Sequence, residues 1–228
     1  MRDTGARQRI AERLIVVVGK GGVGKSTVAA ALGVAAARRG LRTIVAEVAG
    51  RSDVVSVLGA PAPDRLRESE LEPGLHHVSI DPRSAIEQYL HDEVPGRLPA
   101  AILLRSRVFE LLVAATPGMG ELLTIGKVWE LTQRPRGRSS DRPYDLVVLD
   151  GPASGHAVGL LTAPRTFSSV ARLGPIARQG AAIDRMLRDP RLTRVIAVCT
   201  PEQMAVSETL GLRAWLAEEQ GIALDSAL

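Results

Sequence analysis

The stretch that decides the fold reads LIVVVGKGGVGKST and runs from Leu14 to Thr27. Leu14–Val18 is a continuous aliphatic run that ends in glycine, which is typical of a strand buried on both faces of a parallel sheet. The residues from Gly19 to Ser26 then fit the pattern G-x-x-x-x-G-K-[S/T], and an alanine-rich segment follows them. This order of strand, glycine loop and helix predicts a loop that cradles the phosphates of a nucleotide.

The residue types in this loop indicate how it would hold phosphate. Glycines allow backbone N–H groups to converge on a polyphosphate, and the N-terminus of the following helix adds positive potential. We expect Lys25 to reach the β- and γ-phosphates, Ser26 to bind Mg²⁺ and Thr27 to touch the α-phosphate. The predicted nucleotide-binding residues of the loop are Gly19, Lys20, Gly21, Gly22, Val23, Gly24, Lys25, Ser26 and Thr27.

Lysine is rare in this chain, and its distribution singles out the same loop. Only Lys20, Lys25 and Lys127 are lysines, whereas 26 positions are arginine. Two neighbouring ammonium groups repel each other unless negative charge is concentrated beside them, and a compact ammonium does not replace a planar guanidinium. We therefore expect Lys20 to meet phosphate as well, with an exposed lysine on a mobile loop as the alternative.

A second motif supplies a carboxylate for a metal ion. Leu146–Leu149 is an apolar run that ends at Asp150. The carboxyl end of such a strand is where P-loop proteins place the aspartate that binds Mg²⁺, directly or through water. Ser26 and Asp150 are therefore the predicted metal-binding residues, and a nucleotide together with Mg²⁺ is the predicted ligand of the site.

The rest of the chain alternates strands and helices, which predicts an α/β fold with a doubly wound, mostly parallel sheet. Helical spacing between about residues 83 and 134 indicates a helical insertion. We expect a single domain over residues 1–228 that lacks its C-terminal part, because the chain stops as a sixth strand begins. The further predicted strands are Thr43–Val48, His76–Ile80, Tyr144–Leu149, Val195–Cys199 and the start of one in Ile222–Leu228, and the last predicted helix is Glu202–Gln220.

Composition excludes several classes of protein. Hydrophobic residues make up 45% of the 228 positions and charged residues 24%, which argues for a globular core and against disorder. The net charge is +4, but the arginines are interleaved with acidic residues, so specific nucleic-acid binding is not expected. The single Cys199 excludes an intramolecular disulfide, and no secretory signal or membrane span is evident. We therefore predict a cytoplasmic protein that would reach a membrane only through a partner.

Two segments resemble a known family. The loop G-K-G-G-V-G-K-S-T is similar to the deviant Walker A motif of dimeric ATPases in the SIMIBI type of P-loop NTPases. The segment D-G-P-A-S-G-H, from Asp150 to His156, resembles switch II of the arsenical pump-driving ATPases, the ArsA/Get-type or anion-transporting ATPases. This resemblance implies that Lys20 crosses a dimer interface to the partner's nucleotide. It also implies that the backbone N–H of Gly155 senses the γ-phosphate.

The same resemblance implies ATP and Mg²⁺ as the cofactors, and it also implies partners and a mode of action. It favours a homodimer, or a heterodimer with a paralogous ATPase, as the nucleotide-bound form. In such a dimer, ATP binding and hydrolysis would drive a conformational change that acts on a partner protein. A membrane protein is among the partners that the family implies.

Switch I departs from the family pattern. The segment EVAGR, residues 47–51, stands where the family has D-P-A-H-N. Glu47 keeps a carboxylate for orienting the attacking water, but its side chain is one methylene longer, and a misplacement of about 1 Å can cost about 100-fold in rate. We therefore expect binding of nucleotide with weak hydrolysis, and the alternative is a Glu47 with no catalytic duty. The predicted catalytic residues are Lys20, Glu47 and Asp150.

Two other functions fit part of the sequence. A partitioning ATPase of the ParA/MinD type would share the loop and the basic charge, although the Gly155-His156 ending of switch II belongs to the other type. A weakly hydrolysing regulatory subunit beside an active paralogue would explain the altered switch I. Turnover of the chain alone and with a paralogue distinguishes the regulatory subunit, and DNA binding that falls steeply with salt would favour the partitioning ATPase.

Overall fold

The computed structural model describes residues 12–61, 67–82, 84–85, 116–133, 143–171 and 174–228. Its strands are β1 (Leu14–Gly19), β2 (Thr43–Val48), β3 (Ser69–Glu72), β4 (Leu75–Ile80), β5 (Leu146–Ala153), β6 (Thr193–Val198) and β7 (Leu224–Ala227). Its helices are α1 (Lys25–Arg38), α2 (Asp53–Val57), α3 (Met119–Thr132), α4 (Ser154–Ala171), α5 (Pro175–Arg188) and α6 (Gln203–Trp215), and a π-helical turn (Leu216–Gln220) extends α6.

The described strands form one sheet in the order β3-β4-β2-β5-β1-β6-β7. They pair in parallel throughout, except that β3 is antiparallel to β4 at one edge. β5 lies between β1 and β2, so the chain crosses over through α1 to reach β2, as in a doubly wound fold. The predicted α/β fold with a mostly parallel sheet is confirmed. Because the parallel strands end at the same edge, the residues that follow β1, β2 and β5 lie close together there.

Aliphatic side chains fill the space on both faces of the sheet. On one face, Val17 and Val148 pack in a cluster with Ala29 of α1. On the other face, Val16 and Leu149 pack in a cluster with residues of α3, α4, α5 and α6. Successive residues of a strand point to opposite faces, and both faces are buried here. This is why the central strands read as unbroken apolar runs in the sequence.

The central strands lie close to their predicted positions, and the differences have physical reasons. β2 has the predicted bounds, and β4 begins one residue earlier than predicted. β5 continues beyond Asp150, because Ala153 still pairs with Gly19 across an irregularity in the register. β3 has the polar sequence SELE and was not predicted, since it lies half-exposed at the edge of the sheet. The helix predicted over Glu202–Gln220 changes to a π-helical turn at Leu216.

The predicted helical insertion lies mostly outside the described residues. Within residues 83–134, the structure describes α3 with its flanking positions and two residues near the start of the range. Ile125 and Val128 of α3 are fully buried in the main core, so this helix packs against the sheet and the neighbouring helices. Across the described ranges, the structure contains no helix that is both long enough and apolar enough to cross a membrane.

Gly151 marks a close approach of two backbones that a side chain would disturb. A Cβ at this position of β5 would lie 2.5 Å from the carbonyl oxygen of Val17 in β1. We expect Gly151→Ala to lower the free energy of unfolding in urea by about 1–3 kcal/mol, as overpacking does in other proteins. Gly126→Ala is the matched control, because a Cβ there meets nothing within 4 Å and alanine favours the interior of α3. Equal unfolding midpoints for the two variants would contradict this prediction.

Candidate nucleotide-binding site

The loop between β1 and α1 presents an open helix N-terminus at the carboxyl edge of the sheet. Gly22 and Gly24 have φ angles of 83° and 95°, left-handed values that favour glycine. Both residues are exposed, and the N-cap Gly24 leaves the first turn of α1 without a side-chain cap. A Cβ at Gly19 would collide with the carbonyl oxygen of Val198 in β6. The loop therefore has the backbone geometry of an anion-binding site.

Lys25 is buried at the start of α1, with 7% of its surface exposed. Its Nζ donates a hydrogen bond to the carbonyl oxygen of Lys20, 2.9 Å away. Burial lowers the pKa of Lys25, the nearby Asp150 opposes this shift, and Arg51 adds to it. An ammonium group that has lost part of its water gains more from a bound anion than an exposed one does. The position suits the predicted contact with phosphate.

Asp150 faces this loop from the neighbouring strand. Asp150 lies opposite Val17 in the β1–β5 register, and Ser26 Oγ donates a hydrogen bond of 2.7 Å to Asp150 Oδ2. The carboxyl group is fully buried, and its Oδ1 has no hydrogen-bond partner among the described residues. Burial raises the pKa of Asp150, while the hydrogen bond from Ser26 and the charge of Arg51 oppose this shift.

These two side chains fit a magnesium ion. A hydroxyl oxygen and a carboxylate oxygen are hard ligands, and Mg²⁺ is commonly bound through one or two carboxylates together with substrate phosphates. The unpartnered Oδ1 of Asp150 leaves one buried carboxylate oxygen available for such an ion or for a water bound to it. The donor set therefore agrees with the metal site predicted at Ser26 and Asp150, which stays a prediction.

Arg51 reaches the site from the segment after β2, a contact that sequence alone did not predict. Its Nη2 lies 3.5 Å from Asp150 Oδ2 and 3.4 Å from the carbonyl oxygens of Asp150 and Gly151. Its Nε donates to the carbonyl oxygen of Val48 at 3.3 Å, and its Nη1 lies 3.4 Å from Asp53 Oδ2. The sequence contained a signal for this contact. Arg51 follows the end of β2 by three positions, which places a basic residue at the same edge of the sheet as the glycine loop.

Glu47 lies beside Asp150, but its carboxylate has other partners. The two residues are opposite each other in the β2–β5 register. Glu47 Oε1 accepts the backbone N–H of Asp53 at 2.8 Å, and Oε2 lies 2.7 Å from His77 Nε2. The side chains of Glu47 and His77 are both fully buried. The predicted role of Glu47 in orienting water stays a prediction, and the structure adds to it a pair of bonds that hold this carboxylate in the core.

The other predicted residues lie at the same edge of the sheet. Lys20 is partly exposed in the loop, Thr27 is exposed in the first turn of α1, and Gly155 is exposed in the first turn of α4. Ser154 Oγ donates a hydrogen bond to Glu208 of α6, and the charge of Glu208 raises the pKa of Lys25. The loop, switch II and α6 therefore meet here. The contacts of Lys20, Thr27 and Gly155 with nucleotide stay predictions.

Strand order and loop geometry together define the class of this protein. A glycine loop that joins a central parallel strand to a helix, facing an aspartate on the adjacent strand, is the architecture of a P-loop NTPase. Within this class, residues 12–181 match the anion-transporting ATPase family. The match covers most of the chain, which therefore belongs to that family, and the resemblance read from the two motifs is confirmed.

Several proteins similar to this chain are named as ATPases. The chain is 29% identical to ATPase BagA of Mycobacterium tuberculosis over 202 residues, which are 87% of this chain and 59% of that protein. It is 28% identical to the arsenical pump-driving ATPase of Acidiphilium multivorum over 217 residues, 88% of this chain and 36% of that protein. An arsenical pump-driving ATPase of Escherichia coli is also 28% identical, over 83% of this chain and 34% of that protein. The chain thus spans between about a third and three-fifths of the length of these relatives.

Proposed function

We propose that this chain is a Mg²⁺-dependent ATPase that couples ATP binding and hydrolysis to a conformational change acting on a partner protein. The observation that carries the proposal is the meeting of Lys25, Ser26 and Asp150 at the carboxyl edges of β1 and β5. The names of the relatives support ATP as the nucleotide. The words "pump-driving" in two of these names support a membrane protein as partner, and with it a peripheral position at the membrane.

Three side chains divide the work of binding in this proposal. The ammonium of Lys25 exchanges the carbonyl oxygen of Lys20 for the β- and γ-phosphates, while the loop N–H groups surround the phosphate chain. Ser26 and Asp150 hold Mg²⁺ through their oxygens. Bound Mg²⁺ supplies positive charge that offsets the charge of the phosphates.

Calorimetry and an assay of phosphate release test this proposal. We expect the chain to bind ATP saturably, to bind it more tightly with Mg²⁺, and to release phosphate slowly. Circular dichroism of the same sample shows that the chain is folded. A folded chain that does not bind ATP would refute the proposal.

Lys20 acts across a dimer in this proposal. Its backbone carbonyl accepts the hydrogen bond from Lys25, and its partly exposed ammonium would repel Lys25 unless the phosphates of a second protomer's nucleotide neutralise it. Lys20→Ala should therefore leave ATP affinity of the single chain nearly intact and weaken ATP-induced dimerisation. Lys20→Arg should restore dimerisation only in part, because a planar guanidinium does not fit a site shaped for a point charge.

Sedimentation velocity with a non-hydrolysable ATP analogue measures this dimerisation. The chain is run alone and mixed with a close paralogue, which distinguishes a homodimer from a heterodimer. Wild type that stays monomeric in both runs would contradict the dimer. If the Lys20→Ala variant dimerises as well as wild type does, the proposed dimer still holds, but the proposed role of Lys20 at its interface is wrong.

A regulatory subunit with weak hydrolysis is the second candidate function, and the position of Glu47 favours it. Both oxygens of this carboxylate already accept hydrogen bonds in the core, from Asp53 and from His77. Releasing them to orient a water molecule would break buried hydrogen bonds to a charged group, each worth about 1.5–3 kcal/mol. Phosphate release by the chain alone, compared with release in the presence of an active paralogue, distinguishes the two functions.

A further inference from the structure

The side chain of Arg51 is held loosely, although its backbone is fixed. Its five hydrogen bonds from the guanidinium are all 3.3–3.5 Å long, and 34% of the side chain is exposed. By contrast, Ser79 Oγ donates a hydrogen bond of 2.6 Å to the backbone carbonyl of Arg51. Hydrogen bonds weaken with distance, so each guanidinium contact is easily exchanged. The guanidinium is thus anchored at its base and free to change partners at its tip.

An unusual turn directs Arg51 toward the site. Ala49 and Gly50, directly after β2, have φ angles of 61° and 68°. Ala49 is the one non-glycine residue with a positive φ among those the structure describes. A left-handed conformation is unfavourable for alanine, and such strain is found at functional sites where the surrounding structure enforces it. This turn brings Arg51 back over the ends of β2 and β5.

The guanidinium of Arg51 lies beside a negative group, the carboxylate of Asp150, and near a positive group, the ammonium of Lys25. The guanidinium shares Asp150 Oδ2 with the hydroxyl of Ser26. The positive charge of Arg51 also contributes to lowering the pKa of Lys25. A divalent cation bound by Ser26 and Asp150 would repel the guanidinium, since both would be positive at short range. The group that enters together with such a cation is a phosphate, whose paired oxygens match the planar donors of arginine.

We propose that Arg51 contacts the γ-phosphate of the bound nucleotide, exchanging Asp150 for the terminal phosphate when Mg²⁺ and a nucleoside triphosphate bind. The inference rests on the proposed function and adds a specificity-determining residue to it. Its consequence is that Arg51 distinguishes a triphosphate from a diphosphate. A guanidinium that only braced the ends of β2 and β5 would act on both nucleotides alike.

Calorimetry with two ligands tests the inference without measuring turnover. Wild type, Arg51→Ala and Arg51→Lys are titrated with AMP-PNP and with ADP, each in the presence of Mg²⁺. We expect Arg51→Ala to lower the affinity for AMP-PNP by about tenfold, which corresponds to about 1.4 kcal/mol, and to leave the affinity for ADP nearly unchanged. Arg51→Lys should recover part of the loss, because it restores the charge without the paired donors.

Arg191→Ala is the matched control. Arg191 pairs with Asp189 just before β6, at the amino edge of the sheet and away from the loop. The Arg191→Ala variant should therefore bind AMP-PNP and ADP with the affinities of wild type. Equal losses for AMP-PNP and ADP in Arg51→Ala, or no loss for either, would overturn the inference while the proposed function stands. A wild-type chain that binds neither ligand would overturn both proposals.

Discussion

Replacing Lys25 with alanine should reduce the affinity for ATP by more than about tenfold, a loss above about 1.4 kcal/mol. The reason is that this ammonium is buried at the start of α1 and donates its hydrogen bond to a backbone carbonyl that nucleotide can replace. Without it, the β- and γ-phosphates would meet less positive charge in a poorly solvated loop. Calorimetry with Mg²⁺ and ATP measures the change.

The fold should survive this substitution. Burial lowers the pKa of Lys25, which means that the charged form is disfavoured in the folded chain, so its removal relieves a desolvation cost. We expect the thermal unfolding temperature of Lys25→Ala to stay close to that of wild type. Arg191→Ala, which removes a cation far from the loop, should bind ATP normally. An unchanged affinity of Lys25→Ala would show that the glycine loop does not bind phosphate.

Asp150→Asn should abolish most of the effect of Mg²⁺ on ATP binding. Asparagine keeps an oxygen that can accept the hydrogen bond from Ser26, but it removes the negative charge that a hard cation requires. The quantity to measure is the ratio of ATP affinities with Mg²⁺ and with EDTA, and we expect it to fall by about tenfold or more. A ratio equal to that of wild type would show that Asp150 does not bind the metal ion.

The same substitution has a second, independent readout. Burial raises the pKa of Asp150, so the ionised carboxyl group is disfavoured in the folded chain relative to the unfolded one. A neutral side chain of the same shape relieves this cost, although it loses the attraction of Arg51. We therefore expect Asp150→Asn to unfold in urea at a midpoint equal to that of wild type or slightly above it. This distinguishes loss of the metal from loss of the fold.

Much of the fold, and the meeting of the residues at the centre of the candidate site, could be predicted because the signals are local. β1, the loop and α1 are contiguous, and each has a strong pattern of its own. Lys25 and Ser26 follow from the loop motif, and Asp150 follows from an apolar run that ends in an acid. The parallel sheet then brings these residues together without further information, because its strands end at one edge.

The parts that sequence did not predict depend on contacts between distant residues. β3 pairs on one side only, and its polar residues carry no apolar signal. Glu47 and His77 are 30 positions apart, and their bond exists because β2 and β4 are neighbours. Arg51 reaches Asp150 because Ala49 adopts a left-handed conformation that its residue type does not favour.

The buried bonds of Glu47 limit how fast and how far the segment after β2 can respond to a ligand. The carboxylate of Glu47 in β2 accepts a hydrogen bond from the backbone N–H of Asp53, and a second hydrogen bond joins it to His77 of β4. Moving the whole segment would require these buried hydrogen bonds to open, and local unfolding of that kind takes microseconds to seconds. Rotation of one partly exposed side chain takes picoseconds to nanoseconds. Arg51 could therefore report the arrival of a ligand long before the backbone around it has moved.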